Sequence, residues 1–222
     1  ALKAESLADL YYRVGDTEKY NEYSKKTIAL FEQLDDISRK AVAMYNRMTI
    51  HFLNGDFDKI KNNLLKFEQA VEMSGDITLL GDLYRFKGIL ALHQHDYSLA
   101  KSFLNESKSI YKAHDLEYYV MLSDLVLLET ILAEGHLIEA RDKITAIKSE
   151  VISLAETHEL CEYYQMAIRV YQALNDYESA FDALEYLKKY ELTLAKENNN
   201  SKIIKFEYEQ SLKNQQIEKR SL

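Results

Sequence analysis

The chain has 222 residues with no Pro, six Gly, one Cys, 28 Lys+Arg and 36 Asp+Glu, a net charge of −8. Average usage would bring about 11 Pro and about 15 Gly, so Pro-rich linkers, collagen-like segments and turn-rich sheet folds are excluded. The single Cys excludes an internal disulfide framework, and the acidic balance argues against a body that tracks phosphates. Leu, Ala, Lys, Glu and Tyr dominate, which predicts an all-α fold. No apolar run reaches the roughly 18 residues of a membrane span.

Along the chain, a short motif recurs. Gly15-Asp16-Thr17-Glu18-Lys19 returns as Gly55-Asp56-Phe57-Asp58-Lys59, then as His95-Asp96-Tyr97, Gly135-His136-Leu137 and Asn175-Asp176-Tyr177, always 40 residues on. Each copy reads as a turn between two helices. Gly, Asn or His takes the left-handed backbone that ends the first helix, and Asp16, Asp56, Asp96 and Asp176 are placed to cap the second. Apolar helices precede the turns, for example Ala41 to Leu53 and Tyr118 to Ala133; others follow them, for example Phe57 to Met73 and Tyr97 to Lys112. Five residues past each turn start stand Tyr20, Ile60, Ala100, Ala140 and Ala180, close-contact positions; nine past stand Ser24, Leu64, Leu104, Ile144 and Leu184, an inward stripe. Polar breaks at Asp35-Asp36, Ser74-Gly75-Asp76, His114-Asp115 and His158-Glu159 separate the repeats. One helical hairpin cannot bury both faces, but five in a row can stack into a right-handed superhelical solenoid.

After this array, Asn198-Asn199-Asn200-Ser201 punctuates the chain, and an amphipathic stretch follows with Ile203, Phe206, Tyr208, Leu212 and Ile217 as its apolar and aromatic positions. Ile203, Phe206, Gln210, Lys213 and Ile217 fall at three- and four-residue steps, the spacing of a coiled coil, although a lone amphipathic helix reads the same way. From Lys188 the tail carries eight basic and five acidic residues, which leaves −11 on the body. The two predicted regions are residues 1–197, a solenoid, and 198–222, a C-terminal helical connector.

Chemistry-bearing patterns are sparse. His93 and His95 lie about 200° apart on a helix and share no metal. No HExxH, paired Cys or Gly-rich phosphate loop is present, and Cys161, among apolar neighbours, reads as a small buried side chain. The expectation is no catalytic site, no metal and no cofactor. Seventeen Tyr are present; in the pairs Tyr11-Tyr12, Tyr118-Tyr119 and Tyr163-Tyr164 one ring is expected inward and one outward.

The repeat resembles the tetratricopeptide repeat (TPR). Gly88 matches its small residue of the first helix, Asp96-Tyr97 its turn, and Ala100 its close-contact Ala; Asp176-Tyr177 with Ala180 and Gly55-Asp56-Phe57 match too. The likeness covers about residues 2 to 190. The period is 40 rather than 34 and the boundary Pro is missing; longer second helices are expected to absorb the extra residues. Forty-residue versions are similar to those of bacterial signalling proteins and peptide-pheromone receptors. The tail looks like the connector that leads, in bacterial sensors, to a diguanylate cyclase (GGDEF) or histidine kinase domain, here expected beyond Leu222.

The resemblance implies a protein or peptide ligand in a concave groove. The positions it carries over are Glu5, Asp9, Tyr12 and Arg13; Tyr45, Asn46, Thr49 and Phe52; Arg85, Phe86, Ile89 and His93; Leu125, Glu129 and Leu132; Gln165, Arg169 and Gln172. Amides would pair with an extended backbone and aromatics would hold its side chains. The chaperone-binding carboxylate clamp is not matched, since Glu5 and Asp9 stand where cations and amides belong. A homodimer through the C-terminal helix is a further expectation, with no nucleic acid and no membrane segment in this stretch. The lack of a visible signal points to the cytoplasm; a periplasmic sensor region ahead of a membrane span is the alternative. The alternative functions are the ligand domain of a peptide-responsive transcription regulator and a plain assembly scaffold.

Overall fold

The structure, a computed structural model, describes the backbone of residues 2–13 and 16–220, and their side chains apart from Arg13, Thr17, Ser201, Ile204, Lys205 and 207–220. Gly15 and the side chains of Arg13, Tyr208, Leu212 and Ile217 therefore lie outside the described residues. All described regular structure is helical: α1 Leu2–Arg13, α2 Thr17–Gln33, α3 Ile37–Leu53, α4 Phe57–Ser74, α5 Ile77–His93, α6 Tyr97–Lys112, α7 Glu117–Glu134, α8 Leu137–Leu154, α9 Thr157–Ala173 and α10 Tyr177–Arg220. The chain forms two units, Ala1–Asp36 with Leu192–Leu222, and Ile37–Glu191.

The joints explain the helices. Positive φ occurs at Asp35, Gly55, Gly75, His95, Asp115, Gly135 and Asn175, steps of 20 residues with a single gap at position 155. The motif seen every 40 residues is thus half of a 20-residue rhythm, one helix and one left-handed stop per step. Both helices of a hairpin are lengthened: α3 and α4 have 17 and 18 residues, α7 and α8 have 18 each. The extra residues do not go to the second helices alone.

The expected caps form at Asp16, Asp96 and Asp176, whose carboxylates accept from the amides of Lys19, Leu99 and Ser179. Asp56 departs from this: its carboxylate turns to Lys59 Nζ at 2.6 Å instead of to a backbone amide. The fourth break lies earlier than expected. α8 ends at Leu154, Ala155 is extended (φ −72, ψ 144), and Glu156 and Glu159 form a capping box, so His158-Glu159 is already in the first turn of α9. The Asn-rich segment 198–200 does not punctuate the chain either, because α10 runs through it.

In the first unit α1 and α2 pair as a hairpin. Ala4, Ala8 and Tyr11 of α1 and Tyr20, Ser24, Thr27 and Phe31 of α2 are buried at helical spacing, and Tyr11 stacks on Tyr23 at 5.4 Å between centroids. The rest of the unit is the distal part of α10.

In the second unit hairpin follows hairpin. α3 pairs with α4, α5 with α6 and α7 with α8; α4 packs on α5, α6 on α7 and α8 on α9. The first helices α3, α5, α7 and α9 also touch one another in succession. On the other side α6 and α8 are parted by a cleft of about 550 Å³ lined by Lys108, Lys143 and Ile147 among others. Helices close on one side and splayed on the other make the layer of first helices the concave side. The close-contact positions are buried as expected, with Ile60, Ala100 and Ala140 at 0% exposure. In the inward stripe Leu104 and Ile144 are buried, Leu64 is half-buried and Leu184, on the last helix of this unit, is 37% exposed. Close approach of α5 and α6 requires glycine: a Cβ at Gly81 would stand 2.4 Å from the Tyr111 ring, and one at Gly88 2.7 Å from Leu104.

Candidate functional site

The concave layer of the second unit sorts the expected groove positions by their neighbours. On α3, Asn46 is exposed and Tyr45, Thr49 and Phe52 are half-buried. On α5, flanked by α3 and α7, only His93 is exposed; Arg85, Phe86 and Ile89 are buried, as is Leu125 of α7. These four side chains therefore sit beneath the solvent-facing positions of the layer. Leu132 is half-buried, while Glu129 of α7 and Gln165, Arg169 and Gln172 of α9 are open to solvent. In the first unit Asp9 and Tyr12 are exposed and Glu5 is half-buried.

Arg85 is placed by a buried polar cluster. Its Nη2 donates to Asp82 Oδ1 at 2.6 Å and to the Tyr45 hydroxyl at 3.4 Å, and the Tyr111 hydroxyl donates to the same Asp82 oxygen at 2.8 Å. Burial pushes the Asp82 carboxyl up, with the Arg85 charge working against it. Burial likewise opposes the Arg85 charge, but Asp82, Tyr45 and Tyr111 together outweigh it and hold the guanidinium above its ordinary value. Tyr45 and Phe86 pack ring to ring at 6.1 Å. The cluster ties α3, α5 and α6 together.

The α7–α9 half is acidic. Tyr118 donates to Glu159 Oε1 at 2.8 Å, and Glu159 also accepts the Glu156 amide at 2.7 Å, so its charge is satisfied. The carboxyls of Glu129 and Glu162 are both pushed up, first by desolvation, although both residues reach solvent. Arg169 works against the shift at Glu129; His158 works against it at Glu162, where Glu129 and Glu159 add to it. Glu162 is absent from the positions that the resemblance carries over. Its signal is the helical step Glu162, Gln165, Arg169 and Gln172 along one side of α9.

The tyrosine pairs divide as expected only at Tyr11-Tyr12; Tyr118 and Tyr119 of α7 are both half-buried. Tyr11 is buried and Tyr12 exposed, but Tyr163 and Tyr164 are both buried, because α9 is covered on two sides. The Tyr163 hydroxyl donates to the Ile144 carbonyl of α8 at 2.9 Å, while Tyr164 stacks on Tyr186 and Tyr190 of α10 at 5.2 and 5.7 Å. The two histidines of the HxH are used apart. His93 stacks on Phe57 at 4.1 Å, and His95, at φ 61, meets the Tyr97 hydroxyl at 3.2 Å. Among the described residues no group of three His, Cys, Asp or Glu could hold a metal ion, and no described helix is long and apolar enough to cross a membrane.

With this geometry in view, residues 2–134 match the family described as 26S proteasome subunit RPN7. The fold is similar to the crystal structure of a Rap protein complexed with competence and sporulation factor. The TM-score is 0.61 and the identity 14%, over 88% of this chain and 65% of that one. At that identity the likeness establishes the helical-repeat fold, and this chain spans less than two thirds of the other's length. No curated protein matches the sequence.

Proposed function

This chain belongs to the family described as 26S proteasome subunit RPN7, and we propose that it is a non-catalytic helical-repeat module that binds a protein or peptide segment along the concave layer of α3, α5, α7 and α9. The observation that carries the reading is the open side of α9. Gln165, Arg169 and Gln172 rise along it at helical spacing, all three exposed. Amide and guanidinium groups suit the carbonyls and carboxylates of an extended chain. The similar Rap fold was solved in complex with a factor, which supports a ligand held by such an array.

We place the module in a larger bacterial signal-transduction protein, as its sensory or scaffolding region, with α10 as the connector to an output domain of diguanylate cyclase or kinase type and as the contact of a homodimer. A cytoplasmic setting, or a periplasmic one ahead of a membrane span, fits this role. A second reading, assembly scaffold, is favoured by the family description, which is that of a subunit. The ligand domain of a peptide-responsive regulator is the third.

The test uses the 222-residue protein as immobilised bait beside a Gln165→Ala/Arg169→Ala/Gln172→Ala variant, in a lysate of the source organism, with quantitative mass spectrometry. We expect one captured protein or peptide to fall by about tenfold with the variant, the loss of a few polar contacts, while circular dichroism is unchanged. Identical captured sets for both baits would remove the groove from the function.

A further inference from the structure

The cleft between α6 and α8, on the side of the second unit away from the concave layer, holds a charged cluster. α7 is its floor, and α6 and α8 are its walls. At one end the buried Asp124 accepts through a single oxygen from two ammonium groups, Lys108 of α6 at 2.5 Å and Lys143 of α8. Both lysines are largely covered, with 16 and 17% of the side chain exposed. Burial pulls the Lys143 ammonium below its ordinary value; Asp124 works against this and Lys108 adds to it. One carboxylate for two ammonium groups leaves a positive charge unbalanced within the triad.

The triad is peculiar to this hairpin. Forty residues earlier the positions of Asp124 and Lys143 hold Tyr84 and Phe103, whose rings pack at 6.2 Å between centroids. Forty residues later the position of Asp124 holds Tyr164, which stacks on Tyr186. Packed rings thus serve in both neighbouring repeats, and well-packed apolar groups are often as stabilising as a buried ion pair or more so. Stability alone does not account for three charges in their place.

The other end of the cleft has the opposite sign. Asp115, Glu117 and Glu150 stand there with one cation, Lys112. Glu117 precedes Asp124 by seven residues, about 10 Å along a helix axis. Between the two ends Val120, Met121 and Ile147 supply an apolar stretch.

We propose that this cleft is a second binding site, separate from the concave layer, and that it takes a short apolar peptide with both termini free. The terminal carboxylate balances the charge of Lys108 and Lys143, the terminal ammonium meets Glu117 and Glu150, and aliphatic side chains lie on Val120, Met121 and Ile147. Three extended residues span about 10 Å, the separation of the charged ends. The volume of about 550 Å³ falls within the range of small-ligand sites, about 300–1,000 Å³. An internal segment of a protein brings neither terminus, so the two ends select a free small peptide over a passing chain.

Calorimetric titration of the full 222-residue protein with Val-Ala-Val and Leu-Gly-Leu, each also in N-acetyl and C-amide forms, tests this. Both free tripeptides are expected to bind, and each blocked form to bind about tenfold more weakly or worse, having lost one charge-assisted contact. Ala146→Trp, at an exposed position on the α8 wall, obstructs the cleft without touching the triad and should abolish binding. Asp124→Tyr/Lys143→Phe installs the ring pair of the preceding hairpin; it should keep or raise the thermal midpoint and also lose binding. Gln165→Ala/Arg169→Ala/Gln172→Ala should bind the tripeptides as the wild type does, so this site stands or falls apart from the groove. Absence of binding by either free tripeptide up to about 1 mM, binding that survives Ala146→Trp, or binding lost in the groove variant overturns the site. Equal affinity for blocked and free forms overturns the two-ended ligand.

Discussion

Hairpins α5–α6 and α9–α10 are cut from one 40-residue pattern and are held together by different means. α5–α6 closes over Gly81 and Gly88, with no side chain between the helices at those points, and locks with the buried Asp82, Arg85 and Tyr111. α9–α10 has neither. It closes on a stack of three tyrosine rings, with Tyr163 hooked to the neighbouring α8. The repeat therefore dictates where the chain turns, while the adhesive is chosen locally. A buried charge pair tolerates no loss of one partner, whereas stacked rings rely on area and forgive the loss of a hydroxyl.

That contrast is open to direct attack. The largest effect is expected at Arg85→Ala, which strands Asp82 at 1% exposure; loss of one partner from a buried pair costs about 3–5 kcal/mol. The urea midpoint should fall accordingly, and Asp82→Asn/Arg85→Met should recover much of it. A small drop for Arg85→Ala alone would mean that the cluster does not hold the hairpin. Next comes Gly81→Ala, where the Tyr111 ring, fixed by its bond to Asp82, cannot move aside. Overpacking of this kind costs about 1–3 kcal/mol, and a thermal midpoint equal to wild type would show that α5 and α6 can separate cheaply. The smallest effects compare two adjacent tyrosines. Tyr163→Phe deletes a buried hydrogen bond and should cost about 1 kcal/mol. Tyr164→Phe deletes a buried hydroxyl that has no hydrogen-bond partner among the described residues and should leave denaturant stability unchanged or slightly raised. Equal losses at both positions would erase the distinction.

Much of the fold can be read from particular residues. The turn starts at 55, 95, 135 and 175 are visible because a left-handed stop is local chemistry, decided within a few residues. The joints at 35, 75 and 115 show only as polar breaks, since Asp at positive φ looks like any loop Asp until the backbone is known. Arg85 shows where sequence reasoning about a site stops. Its register on the first helix is that of a groove residue, and nothing local reveals that Asp82, three residues earlier, and Tyr111, on the following helix, draw it inside. Leu184 fails for the opposite reason. Its register is that of the core, but exposure depends on which helices pack against α10, which is a property of position in the array and not of the residue.

Ala155 gives the array a different kind of consequence. Every other described joint requires one residue at positive φ in a fixed place, so lengthening or shortening the chain there removes the stop. Between α8 and α9 the chain instead passes through an ordinary extended residue into a capping box, and no left-handed position has to be kept in phase. This is the point at which the polypeptide can be interrupted or extended with the least damage to its neighbours. A loop, a tag or a new pair of termini introduced at Ala155 would change the path of the chain while leaving the 20-residue rhythm of the joints at Gly135 and Asn175 intact.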